Sequence, residues 1–522
     1  MTSARIGSQT ASGIEHKIDR ARTEMRKPLQ VMKFGGTSVG DASCIGRVVE
    51  IIGDASREGN VVVVVSAMSG VTNRLIEAAN QSKAGNESAV AEILAQLRKQ
   101  HDEVVAVLIH SAETRRRLQG KLHDLFAEGQ RLCQGTILLR ELTPRTLDAI
   151  SGLGERLCAP IVAAVLSEIE VASEAIEATE LVVTDAYHGG AEPWIDLTRV
   201  RCQARVAPLL QRSIVPVVTG FIGATEEGVL TTLGRGGSDY SATILGAALD
   251  ADEVVIWSDV PGLLTADPRL VAEARTIAEI SYREAAELAY FGAKVLHPKT
   301  LRPIMQRGIP IWIKNTFAPD QHGTKISPAG PLNAGGVTAL AAIRDAALIT
   351  VAGPGTQGVP DALARTVTTA AAVRADVLLI SQSSSHNDIC LVIPSALAKR
   401  TVEALRHEFS PDLMHEKVEH TVFDSAVSVI TLVGQNMRTA SGTVARTFAA
   451  LGQENINIIA TVQGSSDCSM SFVVPQQDVK VALASIHQEL ELGSLPSNRR
   501  PVRAVASPTS FWKYESEQAS AD

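Results

Sequence analysis

Residues 61–73 read VVVVVSAMSGVTN, and this stretch decides the fold class. Five consecutive valines make a β-branched run of strand length, which is typical of a parallel strand buried on both faces. The small, hydroxyl-rich loop of residues 66–73 follows this strand at its carboxyl end, where open α/β sheets bind their ligands. We therefore expect a mostly parallel sheet with a ligand-binding loop at this edge.

Further apolar runs of strand length recur along the chain, separated by segments of helix length. They are residues 30–34, 181–184, 214–219, 254–257 and 309–313. Strands that alternate with helices favour an α/β domain. Residues 74–150 break this rhythm, because their apolar residues recur at spacings of three and four. We interpret this segment as a helical insertion.

The composition argues against several classes of protein. Among 522 residues, 49 Lys+Arg and 57 Asp+Glu give a net charge of −8, so the basic excess typical of nucleic-acid binding is missing. No apolar run approaches the roughly 18 residues that a membrane-spanning helix needs. Six scattered cysteines without a Cys-x-x-Cys pair disfavour a disulfide framework and a zinc site. We expect a cytoplasmic protein with neither a nucleic-acid nor a membrane partner.

An internal repeat with a constant offset occupies the C-terminal part of the chain. The matching positions are Ala364-Arg365-Thr366 with Ala445-Arg446-Thr447, Gly353 with Gly434, Gln382 with Gln463, and Pro394 with Pro475. So many coincidences at one offset indicate the duplication of a small unit. Each copy is predicted to run strand, glycine loop, helix, strand, strand, helix.

These patterns predict the following organisation. A disordered arm covers residues 1–28, a first domain 29–325, a linker 326–342, the two copies 343–415 and 424–492, and a disordered tail 493–522. The arm has no apolar core of the kind that a secretory signal contains.

The first chemical motif is a lysine that leads into a glycine turn. Lys33 ends a predicted strand, and Gly35-Gly36 follows it. Free backbone N–H groups and the next helix N-terminus form an anion cradle there, to which Lys33 adds a charge. The motif is not a P-loop, because Gly-x-x-x-x-Gly-Lys is absent. A purely structural turn is the alternative.

Residues 231–242, TTLGRGGSDYSA, form the most specific motif. Three glycines, Arg235, Ser238 and Asp239 lie in one loop before an apolar helix predicted over residues 243–249. Such a loop offers backbone donors to phosphate and a planar guanidinium to a carboxylate. The alternative for Asp239 is a helix cap.

Three further segments carry candidate residues. Glu155 can pair with an ammonium group or with a surface cation, and Asp259 can accept from a ribose hydroxyl or form an Asx turn. Residues 291–298 carry a second lysine, Lys294, and His297, which we interpret as a packed turn histidine. Two lysines, glycine loops and helix N-termini predict phosphoryl transfer. Hydride transfer is disfavoured, because no Gly-x-Gly-x-x-Gly follows a strand.

In order and spacing, these motifs resemble the signatures of aspartate kinases, members of the amino-acid kinase superfamily. The repeats resemble paired ACT domains, and their glutamine motifs are most similar to the aspartokinase part of bifunctional aspartokinase–homoserine dehydrogenases. The resemblance covers the chain from about position 30 to about position 490. It implies a three-layer α/β/α kinase domain with a mostly parallel sheet, followed by two ferredoxin-like (βαββαβ) ACT domains. Because only the short segment 493–522 follows the second repeat, we expect a monofunctional kinase.

The resemblance also implies a reaction and a set of residues. The γ-phosphoryl group of ATP would pass to the side-chain carboxylate of L-aspartate, giving 4-phospho-L-aspartate on the route to lysine, threonine, methionine and isoleucine. The implied residues are catalytic Lys33, Asp239 and Lys294; substrate-binding Thr72, Glu155, Arg235 and Ser238; ATP-binding Lys33, Gly35, Gly36, Ser258, Asp259, Leu264, Arg269 and Lys294; and effector-binding Gln382 and Gln463. Some relatives have tyrosine at the position of Leu264.

Feedback control, a metal and self-association complete the implied picture. Threonine is the favoured inhibitor and lysine the second. Mg²⁺ is implied with ligands that the sequence does not identify, and a homodimer or higher homo-oligomer is expected. Two rival interpretations remain: a kinase for glutamate or carbamate, and a non-enzymatic amino-acid sensor. The sensor interpretation predicts that Lys33, Asp239 or Lys294 has been replaced by another residue, and all three are present.

Overall fold

The computed structural model describes residues 27–292, 296–331, 336–352, 359–382, 388–414, 420–437, 440, 442–463 and 467–494. The chain divides into two compact units. The first comprises Met1–Gly262 and Leu296–Pro328, and the second comprises Leu263–Val295 and Ala329–Asp522. Most of the predicted arm and tail lie outside the described residues.

A mostly parallel sheet forms the centre of the first unit. Its strands are β1 (Leu29–Phe34), β2 (Asn60–Val65), β3 (Ser173–Ile176), β4 (Val215–Thr219), β7 (Glu253–Ser258), β9 (Ile311–Asn315) and β10 (Thr324–Ser327), while β5 (Ile222–Ala224) and β6 (Leu230–Thr232) pair separately. The order is β3-β4-β2-β1-β7-β9-β10, parallel except for the last pair. All five valines at residues 61–65 are buried, as the continuous apolar run predicts.

Helices cover this sheet. They are α1 (Ala42–Glu58), α2 (Val71–Ala84), α3 (Glu87–Leu108), α4 (Ala112–Leu139), α5 (Pro144–Ser151), α6 (Leu153–Glu168), α7 (Ile195–Arg205), α8 (Ala207–Gln211), α9 (Gly237–Leu249) and α11 (Arg302–Met305). The stretch Pro144–Glu168 is long and apolar enough to cross a membrane, but 83% of its apolar window is buried in the fold. It is therefore weak evidence for a membrane span.

One predicted strand is wrong. Residues 181–184 form no strand, and within them only Val183 and Thr184 make isolated bridges, to Ala224 and Pro193. The apolar run reflects burial, because Leu181, Val182 and Val183 are fully buried. The sheet edge is instead β3, in which only Ile176 is buried and the other three residues are partly exposed, so it carries little apolar signal.

The second unit contains the two repeats in one antiparallel sheet. Its elements are β8 (Glu279–Ser281), α10 (Tyr282–Tyr290), β11 (Gly336–Ala352), α12 (Val359–Ala372), β12 (Leu379–Gln382), β13 (Ile389–Pro394), α13 (Ala398–Glu408), α14 (Ser410–Met414), β14 (His420–Gln435), α15 (Thr443–Gln453), β15 (Ala460–Val462), β16 (Ser469–Pro475) and α16 (Val479–Glu489). The strand order is β12-β13-β11-β14-β16-β15. Each copy runs strand, helix, strand, strand, helix, in the predicted order.

Two long strands serve both repeats at once. The second half of β11 pairs with β13 of the first repeat, and the full length of β11 pairs with β14. The second half of β14 likewise pairs with β16 of the second repeat. The first half of each long strand therefore supplies a fourth strand to the neighbouring repeat. In the first repeat this completes the order βαββαβ along the chain, whereas the fourth strand of the second repeat comes from β11, which precedes it. Because β11 begins at Gly336, it occupies part of the predicted linker 326–342, whose glycine- and proline-rich composition hid the strand.

Candidate active site

The candidate site lies in the first unit, where the parallel strands end. Backbone hydrogen bonds extend the sheet into its loops: Ser66 N–H donates to Phe34 O at 3.1 Å, and Gly35 N–H to Trp257 O at 3.2 Å. From β1 the chain passes to β2 on one side and later returns to β7 on the other. The order of strands thus reverses at β1, and such a switch point is where open α/β sheets bind ligands.

Lys33 and Asp239 form the central ion pair of this edge. Lys33 Nζ lies 2.5 Å from Asp239 Oδ1, and their side chains are only 11% and 15% exposed. Lys33 comes from the end of β1, and Asp239 from the first turn of α9. Two elements far apart in sequence thus place a fixed ammonium group beside the Gly35–Gly36 turn.

Close packing of glycines brings the 231–242 loop to the ion pair. A Cβ on Gly220, just after β4, would lie 2.8 Å from both Cβ and Oγ of Ser238, and one on Gly237 would lie 2.6 Å from the Phe221 ring. Gly236 has a left-handed φ of 71° at the start of α9. Only glycine fits these positions without strain, so the glycines fix the approach of the helix N-terminus.

Arg235 is presented at the tip of this turn. The flanking Gly234 and Gly236 both have positive φ, and the side chain between them is exposed. Among the described residues Arg235 has no carboxylate ion-pair partner. His297 packs against the turn, since a Cβ on Gly236 would lie 2.9 Å from the Cβ of His297. Its Nδ1 accepts from Lys299 N–H at 3.3 Å, which agrees with the predicted packed turn histidine.

Glu155 is a buried carboxyl beside this site. It lies in the first turn of α6 and is 3% exposed, and its Oε2 has no hydrogen-bond partner among the described residues. Burial raises its pKa to about 8, opposed by hydrogen bonding at the Ala67 and Glu155 backbone and by the charge of Lys33. The alternative of a surface salt bridge is wrong for Glu155, and it is Arg156 that pairs with Glu128 and Glu177.

The 66–73 loop packs between these groups. A Cβ on Gly154 would lie 2.6 Å from that of Ala67, and one on Gly36 would lie 3.0 Å from Ala67 O. The loop therefore contacts both the glycine turn after β1 and the start of α6. Thr72, near the end of this segment, lies half-buried in the first turn of α2, because the helix already begins at Val71.

The predicted nucleotide residues are divided between the two units. Ser258 ends β7, and its hydroxyl donates to Asp259 at 3.1 Å. Leu264 and Arg269 belong to the second unit, where Leu264 bridges to Thr276 and Arg269 forms a two-point pair with Asp267 at 2.9 and 2.7 Å. Lys294 lies outside the described residues.

The predicted effector residues occupy matching ends of edge strands. Gln382 ends β12, Gln463 directly follows β15, and both side chains are exposed. Gly353 and the serine-rich loops 383–385 and 464–466 lie outside the described residues.

Sequence analysis missed one buried polar group near the site. Asp148 of α5 is 2% exposed and accepts from His188, Gly189 and Thr232. No local pattern marks this residue, because the buried residues of α5 are Asp148, Ile150 and Ser151, of which only Ile150 is apolar. Within the described part of the chain, no three His, Cys, Asp or Glu side chains gather into a group that could hold a metal ion.

Comparison with known proteins agrees with the fold. A model of the amino acid kinase family matches residues 28–315, and a model of the ACT domain matches residues 349–409 and 430–490. Parallel sheet, glycine turns and tandem repeats thus define an amino acid kinase with ACT domains.

Individual relatives narrow the class. The chain is 31% identical over 518 residues to aspartokinase 1, chloroplastic, of Arabidopsis thaliana, covering 94% of this chain and 87% of the relative. It is 33% identical over 475 residues to the bifunctional aspartokinase/homoserine dehydrogenase of Haemophilus influenzae, covering 88% of this chain and 56% of that protein. The chain spans about half the length of such bifunctional relatives. It belongs to the aspartokinases of the amino acid kinase family.

Solved structures give the same result. E. coli aspartokinase III in complex with aspartate and ADP (R-state) superposes with a TM-score of 0.74 at 29% identity, covering 89% of this chain and 100% of the other. The T-state complex of that enzyme with lysine and aspartate gives a TM-score of 0.72.

Proposed function

We propose that the chain transfers the γ-phosphoryl group of ATP to the side-chain carboxylate of L-aspartate, giving 4-phospho-L-aspartate and ADP. This would be the first step toward lysine, threonine, methionine and isoleucine. The observation that carries the proposal is the buried Lys33–Asp239 pair, with the carboxyl of Glu155 within the electrostatic influence of Lys33 and with Arg235 in the same glycine loop as Asp239. The complex of a solved relative with aspartate and ADP supports both substrates.

The charge distribution fits this reaction. An oxygen of the aspartate carboxylate attacks the γ-phosphorus, and the bond from that phosphorus to the β,γ-bridging oxygen breaks as ADP leaves. Two anions must be brought together, so Lys33 supplies positive charge and Asp239 holds its ammonium group in place. A carboxyl group with a pKa near 3.9 is already ionised at pH 7. A general base is therefore unnecessary.

Recognition of the amino acid would use the other charged groups. Arg235, which has no carboxylate ion-pair partner among the described residues, would bind the α-carboxylate by two parallel hydrogen bonds. Glu155 would accept the α-ammonium group at its unpartnered oxygen, with Thr72 and Ser238 lining the pocket. Two assignments compete with this one. The first is a kinase for glutamate or carbamate, and the second is an inactive amino-acid sensor.

The nucleotide would bind over Gly35 and Gly36, with Ser258, Asp259, Leu264, Arg269 and Lys294 completing the set. Mg²⁺ would arrive with the phosphates of ATP, as is usual for this ion.

Regulation and assembly complete the proposal. Threonine is favoured as the feedback inhibitor by likeness to the bifunctional relatives, and Gln382 and Gln463 are its proposed contacts. Lysine is the second candidate, and the T-state complex of E. coli aspartokinase III with lysine supports it. We further propose a cytoplasmic homodimer or higher homo-oligomer.

The test is formation of the acyl phosphate, trapped with hydroxylamine, from MgATP and L-aspartate. Hydroxamate from aspartate but not from glutamate is the expected result, and threonine or lysine should lower the rate. Arg235→Ala should raise the aspartate KM about 100-fold while leaving the ATP KM unchanged, since a charge-assisted bidentate contact is lost. A folded, ATP-binding protein that forms no hydroxamate from aspartate would instead be a sensor or another carboxylate kinase.

The pH dependence of the same assay tests Glu155. Its pKa of about 8 means that the Glu155 carboxyl is mostly protonated at neutral pH when no aspartate is bound. An ammonium ligand favours the ionised form, so aspartate binding must release a proton below pH 8 and should tighten as pH rises toward 8. Glu155→Gln should bind more weakly and lose this slope; an unchanged slope would remove Glu155 from the pocket.

A further inference from the structure

Asp148 is a buried carboxylate that no step above uses. It accepts four hydrogen bonds: Oδ2 from His188 Nδ1 at 2.8 Å and from the backbone N–H groups of Gly189 and Thr232 at 3.1 Å each, and Oδ1 from the Thr232 hydroxyl at 2.6 Å. Burying a carboxylate is costly unless donors surround it. Such complete satisfaction makes its neighbours rigid.

These donors come from two segments that contact each other at the turn carrying Arg235. Thr232 ends β6 and lies two residues before Gly234, the first residue of the turn that presents Arg235. Gly189 belongs to the loop of residues 185–193, and a Cβ on Gly234 would lie only 3.0 Å from Gly189 O. The backbone of Ala191 also donates to Thr232 O at 2.9 Å. Asp148 therefore fastens the loop and the arginine turn to α5 together.

The far end of the 185–193 loop is held separately. Glu192 accepts from Tyr240 Oη at 3.2 Å and pairs with Lys299 Nζ at 2.9 Å. Tyr240 directly follows Asp239 in α9. Because both of its ends are fixed, the 185–193 loop is held against the turn that carries Arg235.

We propose that Asp148 is a positioning residue that holds Arg235 in its aspartate-binding geometry. The proposal rests on the proposed function, in which Arg235 binds the α-carboxylate. The Arg235 side chain itself is exposed and has no carboxylate ion-pair partner among the described residues, so its direction depends on the backbone that carries it. Fixing that backbone in advance removes an ordering cost from each binding event.

Asp148→Asn tests this role at nearly constant size. The variant replaces a charged carboxylate by one uncharged acceptor oxygen, so the hydrogen bonds that hold the turn and the loop should weaken. We expect the aspartate KM to rise about tenfold or more, with a smaller fall in kcat and an unchanged ATP KM, because small misplacements of binding groups cost this much. In an Arg235→Ala background the same change should add little, since it acts through Arg235.

Three variants separate positioning from stability. Asp250→Asn, at the opposite end of α9, removes a carboxylate that pairs with Arg199 and Arg307, so it should lower Tm without moving the aspartate KM. His188→Asn keeps a donor near Nδ1 and should behave nearly like the wild type, whereas His188→Leu should raise the aspartate KM. These two variants decide the question if Asp148→Asn does not fold.

The outcomes are distinct. If the wild type is active and the aspartate KM is unchanged in Asp148→Asn, the positioning role alone is overturned. If that variant does not fold, an unchanged aspartate KM in His188→Leu leads to the same conclusion. Equal KM increases from Asp148→Asn with and without Arg235 overturn its action through Arg235. A folded wild type that neither binds nor phosphorylates aspartate overturns this inference together with the proposed function.

Discussion

The two repeats of the second unit share their local contacts and differ in what fills their cores. Arg365 Nε donates to Glu408 at 2.7 Å, and Nε of Arg446, at the matching position of the second repeat, donates to Glu489 at 2.8 Å. In both repeats the arginine also binds the backbone carbonyl of the same glutamate, at the end of the second helix. The duplication thus preserved individual hydrogen bonds.

The cores are less alike. Residues of the first repeat alone form the core around Ile349, whereas the core around Ile430 also contains Ala266 and Val271 from the segment 263–295. Thr265 Oγ1 lies 3.0 Å from His487 Nε2 in this second core, and Arg275 donates to Leu492 O. At the position matching His487, the first repeat has Arg406, which donates to Thr421 O.

This difference shows how a duplicated unit is adapted. The segment 263–292 lies within the part of the chain that matches the amino acid kinase family, yet its Ala266 and Val271 pack into the core of the second repeat. One copy has therefore become the support of a segment that carries predicted nucleotide residues, while the other keeps an independent core. Variants at matched positions can test this separation.

The largest effect is expected from the matched isoleucines of the two cores. Ile349→Ala and Ile430→Ala should each lower the free energy of unfolding of the second unit by about 2–5 kcal/mol, because both side chains are fully buried. Only Ile430→Ala should loosen the segment 263–275, since only its core includes Ala266 and Val271. Urea unfolding and amide hydrogen exchange measure the two effects. Equal loss of protection over 263–275 in both variants would contradict separate cores.

A smaller effect is expected from the hydroxyl of Thr265, which lies 3.0 Å from His487 Nε2 and accepts from the Arg275 N–H at 3.0 Å. Thr265→Val keeps the shape and removes the hydroxyl, so stability should fall by about 1–3 kcal/mol, with faster exchange over 263–275. Thr265→Ser, which retains the hydroxyl, is the control. Arg406→Met in the first repeat should leave the exchange of that segment unchanged. If Thr265→Val melted at the same temperature as Thr265→Ser, the hydrogen bonds of this hydroxyl would not anchor the segment.

Local patterns in the sequence predicted much of this arrangement. The valine run predicted β2, the glycine motifs predicted the turns around Lys33 and Asp239, and the constant offset predicted the two repeats. The first two signals each arise from a few neighbouring residues, so local rules of burial and backbone conformation suffice to read them. The third comes from comparing two segments of the sequence with each other.

Long-range packing accounts for what the sequence did not predict. Nothing near Ala266 or Val271 indicates that they join the core of a repeat that is distant in the sequence, and the donors to Asp148 come from two segments far from it along the chain. Residues 181–184 look like a strand because they are buried, although they make only isolated bridges. Burial alone does not determine pairing.

The smallest expected effect distinguishes the two matched arginines. Arg365 makes an additional pair with Asp412 at 2.9 Å and lies 4.5 Å from the centre of the Phe409 ring. The second repeat has leucine at the position that matches Phe409, so Arg446 has no such ring contact. Lysine cannot reproduce the forked contacts, so Arg365→Lys should cost about 1 kcal/mol and Arg446→Lys about half as much. The comparison requires thermal unfolding at low and high salt. The part of the difference in stability loss that is due to Asp412 should shrink in about 1 M salt through screening, whereas the part due to the ring contact should persist. Equal losses of stability in both variants would mean that the arginine contacts, unlike the cores, have not diverged.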